Sequence, residues 1–130
     1  MQEQHLFEYA VIRIMPRVER GEFINAGIVL FCKSRQFLHV LYEVNEQRIR
    51  VLCPKCDVQG LSAHVEAFAA IAAGNKDAGP IAQLDIASRF RWLTANRSTI
   101  LQTSQVHPGF CKDPLEMTER LFGQLVKVGG

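Results

Sequence analysis

The stretch from Arg13 to Phe31, RIMPRVERGEFINAGIVLF, constrains the fold of this chain more than any other, because it joins two apolar strands through a tight, charged turn. Tyr9, Val11, Arg13 and Met15 alternate with Ala10, Ile12 and Ile14. This period of two, filled by β-branched and aromatic residues, predicts a strand. Pro16 has no amide to give a ladder and is expected to end that strand. Arg17, Glu19, Arg20, Gly21 and Glu22 form the turn, where Gly21 takes a positive φ without steric cost. Ile24 to Phe31 is the second strand, interrupted by Asn25 and by Gly27, and a glycine inside a strand marks a bulge or a close backbone approach.

Both faces of the first strand are apolar except at Arg13, so the strand is expected to be central and covered on both sides. A charge among apolar neighbours is costly unless paired. One reading gathers Arg13, Arg20, Glu22 and Asn25 at the sheet end as a binding or catalytic cluster. There arginine forks would take carboxylate or phosphate, and Glu22 would act as a base. The blander and favoured reading is a hairpin whose Arg and Glu residues pair with one another and cap the loop.

Downstream, Lys33-Ser34-Arg35 is a short polar turn, and Phe37 to Tyr42 resumes period two as a third strand. Asn45 is a cap for a short helix through Ile49 and Leu52, ended by Pro54. Leu61, Val65, Phe68 and Ala72 stand at helical spacing and predict a helix from about Ser62 to Ala73, stopped by Gly74. Asn75 to Pro80 reads as a loop. Asp85 caps a helix through Ile86, Phe90 and Leu93. Arg97 to Gln105 reads as a polar fourth strand at an edge, and Val106 to Gly109 as a turn carrying His107. Asp113-Pro114-Leu115-Glu116 starts a last helix with a core stripe of Met117, Leu121 and Leu125, fraying near Gly129-Gly130.

Composition narrows the function classes. Hydrophobic residues make up 48% and charged residues 22%, which is ordinary globular usage and not disorder. A net charge of +2 is too slight to argue for nucleic acid, and the mixture of Arg89, Phe90, Arg91 and Trp92 is more consistent with helix packing than with base stacking. No apolar run reaches the roughly 20 residues that cross a bilayer, and Met1 to His5 lacks a signal-peptide layout. A cytoplasmic protein of one domain, residues 1–130, with four reduced cysteines is therefore expected. Cys53-Pro54-Lys55-Cys56 has the spacing of half a zinc site or a redox pair. No second close pair supplies further ligands, so two incidental thiols at a turn are expected.

The pattern R-x-x-P-x-x-x-R-G-E-F-x-N-x-G-x-V-L-F, carried by Arg13, Pro16, Arg20, Gly21, Glu22, Phe23, Asn25, Gly27 and Val29-Leu30-Phe31, resembles an uncharacterised bacterial family, domain of unknown function 3037. Arg89-Phe90-Arg91-Trp92-Leu93, Arg97-Ser98-Thr99, Val106-His107-x-Gly109 and Asp113-Pro114 extend the likeness over most of the chain. The resemblance implies a small cytoplasmic bacterial protein with a protein partner, a HipA-like kinase. It brings no established activity and no catalytic residue.

The resulting expectation is an α+β fold: a single mainly antiparallel sheet of about four strands, with three main helices packed chiefly on one face. The other face of the first strand then needs a cover, which points to association through the sheet with a partner or a second copy. No complete catalytic triad, metal set or phosphate loop is visible in the sequence. The chain therefore reads as a non-enzymatic interaction module, needing no metal or cofactor. The rivals are a small enzyme or anionic-ligand binder and, third, a weak nucleic-acid binder. Arg13, Arg20, Glu22, Asn25, Arg91, Arg97 and His107 are the candidate ligand- or partner-binding residues. They are expected to share one polar surface where the charged corner meets the segment after Trp92.

Overall fold

A computed structural model describes residues 3–95, 97 and 99–127. The expected fraying at Gly129-Gly130 and the position of Ser98 lie outside the described residues. The elements are β1 (His5–Arg17), β2 (Glu22–Cys32), β3 (Phe37–Tyr42), α1 (Glu46–Leu52), α2 (Val58–Ala73), α3 (Ile86–Leu93), β4 (Leu101–Thr103), β5 (His107–Cys111) and α4 (Pro114–Leu125). The fold is α+β with one antiparallel sheet, the short charged turn between the first two strands making them antiparallel neighbours.

The strand β1 organises the sheet. Along one edge it pairs with β2, which in turn pairs with β3. Its other edge is shared: β5 pairs with His5 to Tyr9, and β4 with Ile12 to Ile14. The strand is longer than expected at both ends and carries Pro16 inside it, where a register shift spares the missing amide.

The strand β5 corrects the reading of Val106 to Gly109 as a turn. Pro108 and Gly109 are turn formers, but β5 lies at an edge, where proline is tolerated. Gly109 stands opposite Phe7, and a Cβ there would come within 2.6 Å of the Phe7 ring, so the ring takes the space that a side chain would need. The expected fourth strand shrinks to Leu101–Thr103.

Three helices cover one face. Ala10, Ile12, Val29, Phe31 and Val40 pack against Phe68 and Ala72 of α2 and Phe90 and Leu93 of α3. Ile14, Ile24 and Ala26 meet Ile49 of α1 and Leu61 and Val65 of α2. On the other face Phe7, Val11, Ile28, Leu30 and Cys32 pack on Phe122 of α4 and on Val126 just beyond it. The second face of β1 is thus covered from within the chain, which removes the reason for expecting a partner there. The buried stripe of α4 is also corrected. It runs through Pro114, Thr118 and Phe122, while Leu125 is 37% exposed. Thr118 can lie in the core because its hydroxyl donates to the Pro114 carbonyl at 2.7 Å.

The helix starts follow from capping chemistry. Asn45, Asp85 and Asp113 each accept backbone amide hydrogen bonds of the first turn. The helix α2 begins a turn earlier than expected, because the Asp57 carboxylate accepts from the Gly60 amide. Between α1 and α2 the Cys56 amide donates to the Cys53 carbonyl. This turn brings the two cysteines, 5.4 Å apart at Cα, into a disulfide, so the expectation of four reduced thiols is corrected to two. Cys32 and Cys111 are free and buried.

At Gly27 the backbone of β3 lies close against β2. A Cβ there would lie 2.7 Å from the Leu41 carbonyl oxygen. Gly27→Ala is expected to destabilise the fold by roughly 1–3 kcal/mol, as overpacking does, with an unchanged m-value in urea unfolding. Wild-type stability would show that β3 moves away freely.

Candidate functional site

The period of two places Tyr9, Val11, Arg13 and Met15 on the face of β1 that looks toward α4. A bulge in β2 decides what stands next to Arg13. Ile12 pairs with Gly27, but Arg13 pairs with Asn25, so Ala26 is skipped. In regular register Ala26 would face Arg13, and the bulge substitutes an amide for a methyl group. On the other side of β1, Gln102 of β4 is the partner of Arg13. A row of three polar residues, Asn25, Arg13 and Gln102, therefore crosses three adjacent strands.

The row is held but not satisfied. The Arg13 guanidinium carbon lies 4.4 Å from the centroid of the Phe23 ring, a cation–π contact that fixes its position without neutralising it. Asn25 Nδ2 donates to the Leu125 carbonyl at 2.9 Å, and Arg48 Nη1 donates to the Val126 carbonyl at 3.2 Å, so the end of α4 is tied down beside the row. Gln102 Nε2 donates to the Thr99 carbonyl at 2.8 Å. Among the described residues, Arg13 Nε, Asn25 Oδ1 and, on α3, Arg89 Nε are buried without a hydrogen-bond partner, and Arg13 has no ion-pair partner. A buried donor or acceptor left unpaired costs about 1–3 kcal/mol. A donor and an acceptor side by side in that state mark a place where stability has not been optimised.

The other candidates are accounted for locally. Arg20 Nε meets Glu22 Oε1 at 2.5 Å, and Arg17 Nε meets Glu19 Oε1 at 2.9 Å, all four side chains being exposed. The hydrogen bond from Arg17 holds the Glu19 carboxyl below its ordinary range, and the bond to Glu22 raises the Arg20 guanidinium. The corner thus closes its charges on one another. Arg91 of α3 forms a two-bond fork with Glu8, both distances 3.0 Å, on the face opposite Arg13. Arg97 donates to the Trp92 carbonyl and stacks on the indole, 4.2 Å from its centroid, and desolvation lowers its pKa. It lines a groove of about 300 Å³ beside α2 with His64, Phe68 and Thr99. His107 shares the face of Arg13 but stands opposite Tyr9, with ring centroids 5.4 Å apart. At about 3.3 Å per residue it lies roughly 13 Å along the strand from Arg13.

The segment after Trp92 does reach the charged corner, since the Met15 amide donates to the Ile100 carbonyl at 2.7 Å. The expected shared polar surface still does not form, because the arginines turn to separate partners on two faces. Of the seven candidates, Arg20 and Glu22 pair with each other in the corner, and apart from that pair only Arg13 and Asn25 come together. Sequence reasoning missed Phe23, Gln102 and Leu125 around them. Phe23 was signalled by its place beside Asn25 in the charged stretch, whereas Gln102 and Leu125 are brought in by long-range pairing alone. Among the described residues, no three His, Cys, Asp or Glu side chains are placed to hold a metal ion.

A family model described as protein of unknown function (DUF3037) matches residues 9–126, and the chain belongs to that family. The match spans every candidate residue. No curated protein and no solved structure matches the chain. No helix among the described residues is long and apolar enough to cross a membrane.

If Arg13 is not part of the framework, replacing it should cost little. Arg13→Met keeps an unbranched chain against Phe23 and removes an unpaired Nε. The expected result in thermal and urea unfolding is stability equal to or above wild type. A loss beyond about 2 kcal/mol would make Arg13 a structural residue.

Proposed function

We propose that this member of the DUF3037 family is a non-enzymatic interaction module that holds a segment of a partner protein against the row formed by Asn25, Arg13 and Gln102. The observation that carries this reading is the unpaired Arg13 guanidinium, fixed by Phe23 between two side-chain amides. Such a row offers donors and an acceptor together, which matches the alternating carbonyl and amide groups of a peptide. Arginine beside an aromatic ring is also the composition of interface hot spots. Phe23, 42% exposed, and Leu125 supply an apolar rim that would exclude water from the polar contacts.

Acid–base catalysis has less support. Glu22 is engaged by Arg20, and His107 stands too far along the strand to act on a group bound at Arg13. The resemblance suggests a protein partner, for which a HipA-like kinase is the candidate, and a cytoplasmic location belongs to the same proposal.

Titration of the chain into a HipA-like kinase, the proposed partner, tests this directly. The expected result is a complex that Arg13→Ala weakens by at least about tenfold, with Arg20→Ala near wild type. Absence of a complex, or one indifferent to Arg13, overturns the proposal. Tight binding of inorganic phosphate or acetate that depends on Arg13, without a kinase complex, would establish an anion-ligand site instead.

A further inference from the structure

The strand β3 is the outer edge of the sheet, and it lacks the features that usually protect an edge. Its six residues, FLHVLY, contain no charge and no proline. They pair with β2 in unbroken register from Phe37 to Tyr42, with no bulge to twist the edge away. Exposed edges of this kind are templates for pairing with another strand. The Glu43 amide donates to the Ala26 carbonyl at 2.8 Å, which continues the ladder in phase with Leu41 and His39. The odd residues therefore turn their backbone groups toward β2. Leu38, Val40 and Tyr42 present theirs outward.

Charge is distributed unevenly along this edge. Lys33 and Arg35 precede the strand, and Glu43 and Glu46 follow it. Among the described residues, Lys33, Arg35 and Glu43 form no salt bridge, while Glu46 lies 3.5 Å from Arg50. A strand that is basic at its start, neutral in its middle and acidic at its end is complementary to itself when run antiparallel.

We infer that β3 is a self-association edge and that its occupant is β3 of a second copy of this chain. A two-fold axis perpendicular to the sheet keeps the faces of both copies aligned, so residues of equal parity stand opposite one another. Centred on His39, the pairing sets Phe37 against Leu41 of the second copy and lets Leu38 and Val40 exchange amide–carbonyl bonds. It brings Arg35 alongside Glu43 of the second copy, twice by symmetry. The two sheets become one of ten strands.

The flank of the edge has room for this arrangement. A groove of about 320 Å³ runs beside it, lined by His39, Val40, Glu66, Ala69, Ala70 and Ala73. Apart from Glu66, the α2 side chains that line it are alanines, which leave the flank of the edge open. This edge is distinct from the Arg13 row, so either proposal can fail while the other stands.

Sedimentation equilibrium on the full chain decides the matter. Wild type is expected to be a reversible dimer. His39→Glu, which sets like charges face to face at the axis on an exposed side chain, should weaken it by at least about tenfold. Arg35→Glu should weaken it similarly, and the double exchange R35E/E43R should restore it, because the charges then complement again. Circular dichroism melts confirm folding of each variant, and the charge exchange remains decisive if His39→Glu fails to fold. A monomeric wild type, or a dimer indifferent to His39→Glu and Arg35→Glu, overturns the inference. A dimer that R35E/E43R does not recover also overturns it.

Discussion

The strand β1 is enclosed in every direction, with β2 along one edge, β4 and β5 sharing the other, helices α1 to α3 over one face and α4 over the second. A strand in that position must satisfy all its backbone groups through neighbours and bury both its side-chain sets. The rest of the chain follows from that requirement. The long β1–β2 hairpin supplies one edge cheaply in loop entropy, whereas β4, β5 and α4 come from the far end of the sequence and close the other edge and face. Ile12, Ile14, Val29 and Leu30, almost wholly buried, are what the enclosure is made of.

Within so apolar a setting Arg13 needs an account. Its charge has no counter-ion among the described residues, and its Nε lacks an acceptor. The bulge at Ala26 turns Asn25 toward it, where a regular strand would have presented a methyl group. Both features work against stability, and both converge on one spot at the end of α4. Arg20 closes on Glu22, Arg91 on Glu8 and Thr118 on its own helix, whereas Arg89 Nε of α3 is, like Arg13 Nε, buried without a hydrogen-bond partner. At Arg13, unlike at Arg89, an unmatched donor and an unmatched acceptor stand on neighbouring strands, and the proposed role rests on that.

Much of this was readable from residues alone because it rests on local chemistry. The hairpin showed in the alternation from Tyr9 to Phe31, and the helix starts showed in Asn45, Asp85 and Asp113, whose side chains act within a single turn. The pairing of Arg20 with Glu22 was equally local and was the favoured reading of the corner. What the sequence hid is long-range. Pro108 and Gly109 look like a turn unless one knows that Phe7 lies across them. Met117 and Leu121 do pack against the core, but Leu125 is exposed, and the buried positions of α4 are Pro114, Thr118 and Phe122. Arg91 and Glu8 are far apart in sequence, and no spacing rule joins them. The site itself was half visible: Arg13 and Asn25 belonged to the charged stretch, but their exact alignment depends on a bulge, and Gln102 on a strand of three residues.

The most direct measurement of the central claim is the Nε–Hε resonance of Arg13 in proton–nitrogen spectra, followed as the proposed partner, a HipA-like kinase, is added. An unpaired donor that acquires an acceptor on binding should shift downfield and become protected from solvent exchange, while the Nε–Hε signal of Arg20, already engaged by Glu22, stays in place. A complex that forms while the Arg13 signal remains unmoved would contradict the account, and the charge in the middle of β1 would then have no assigned role.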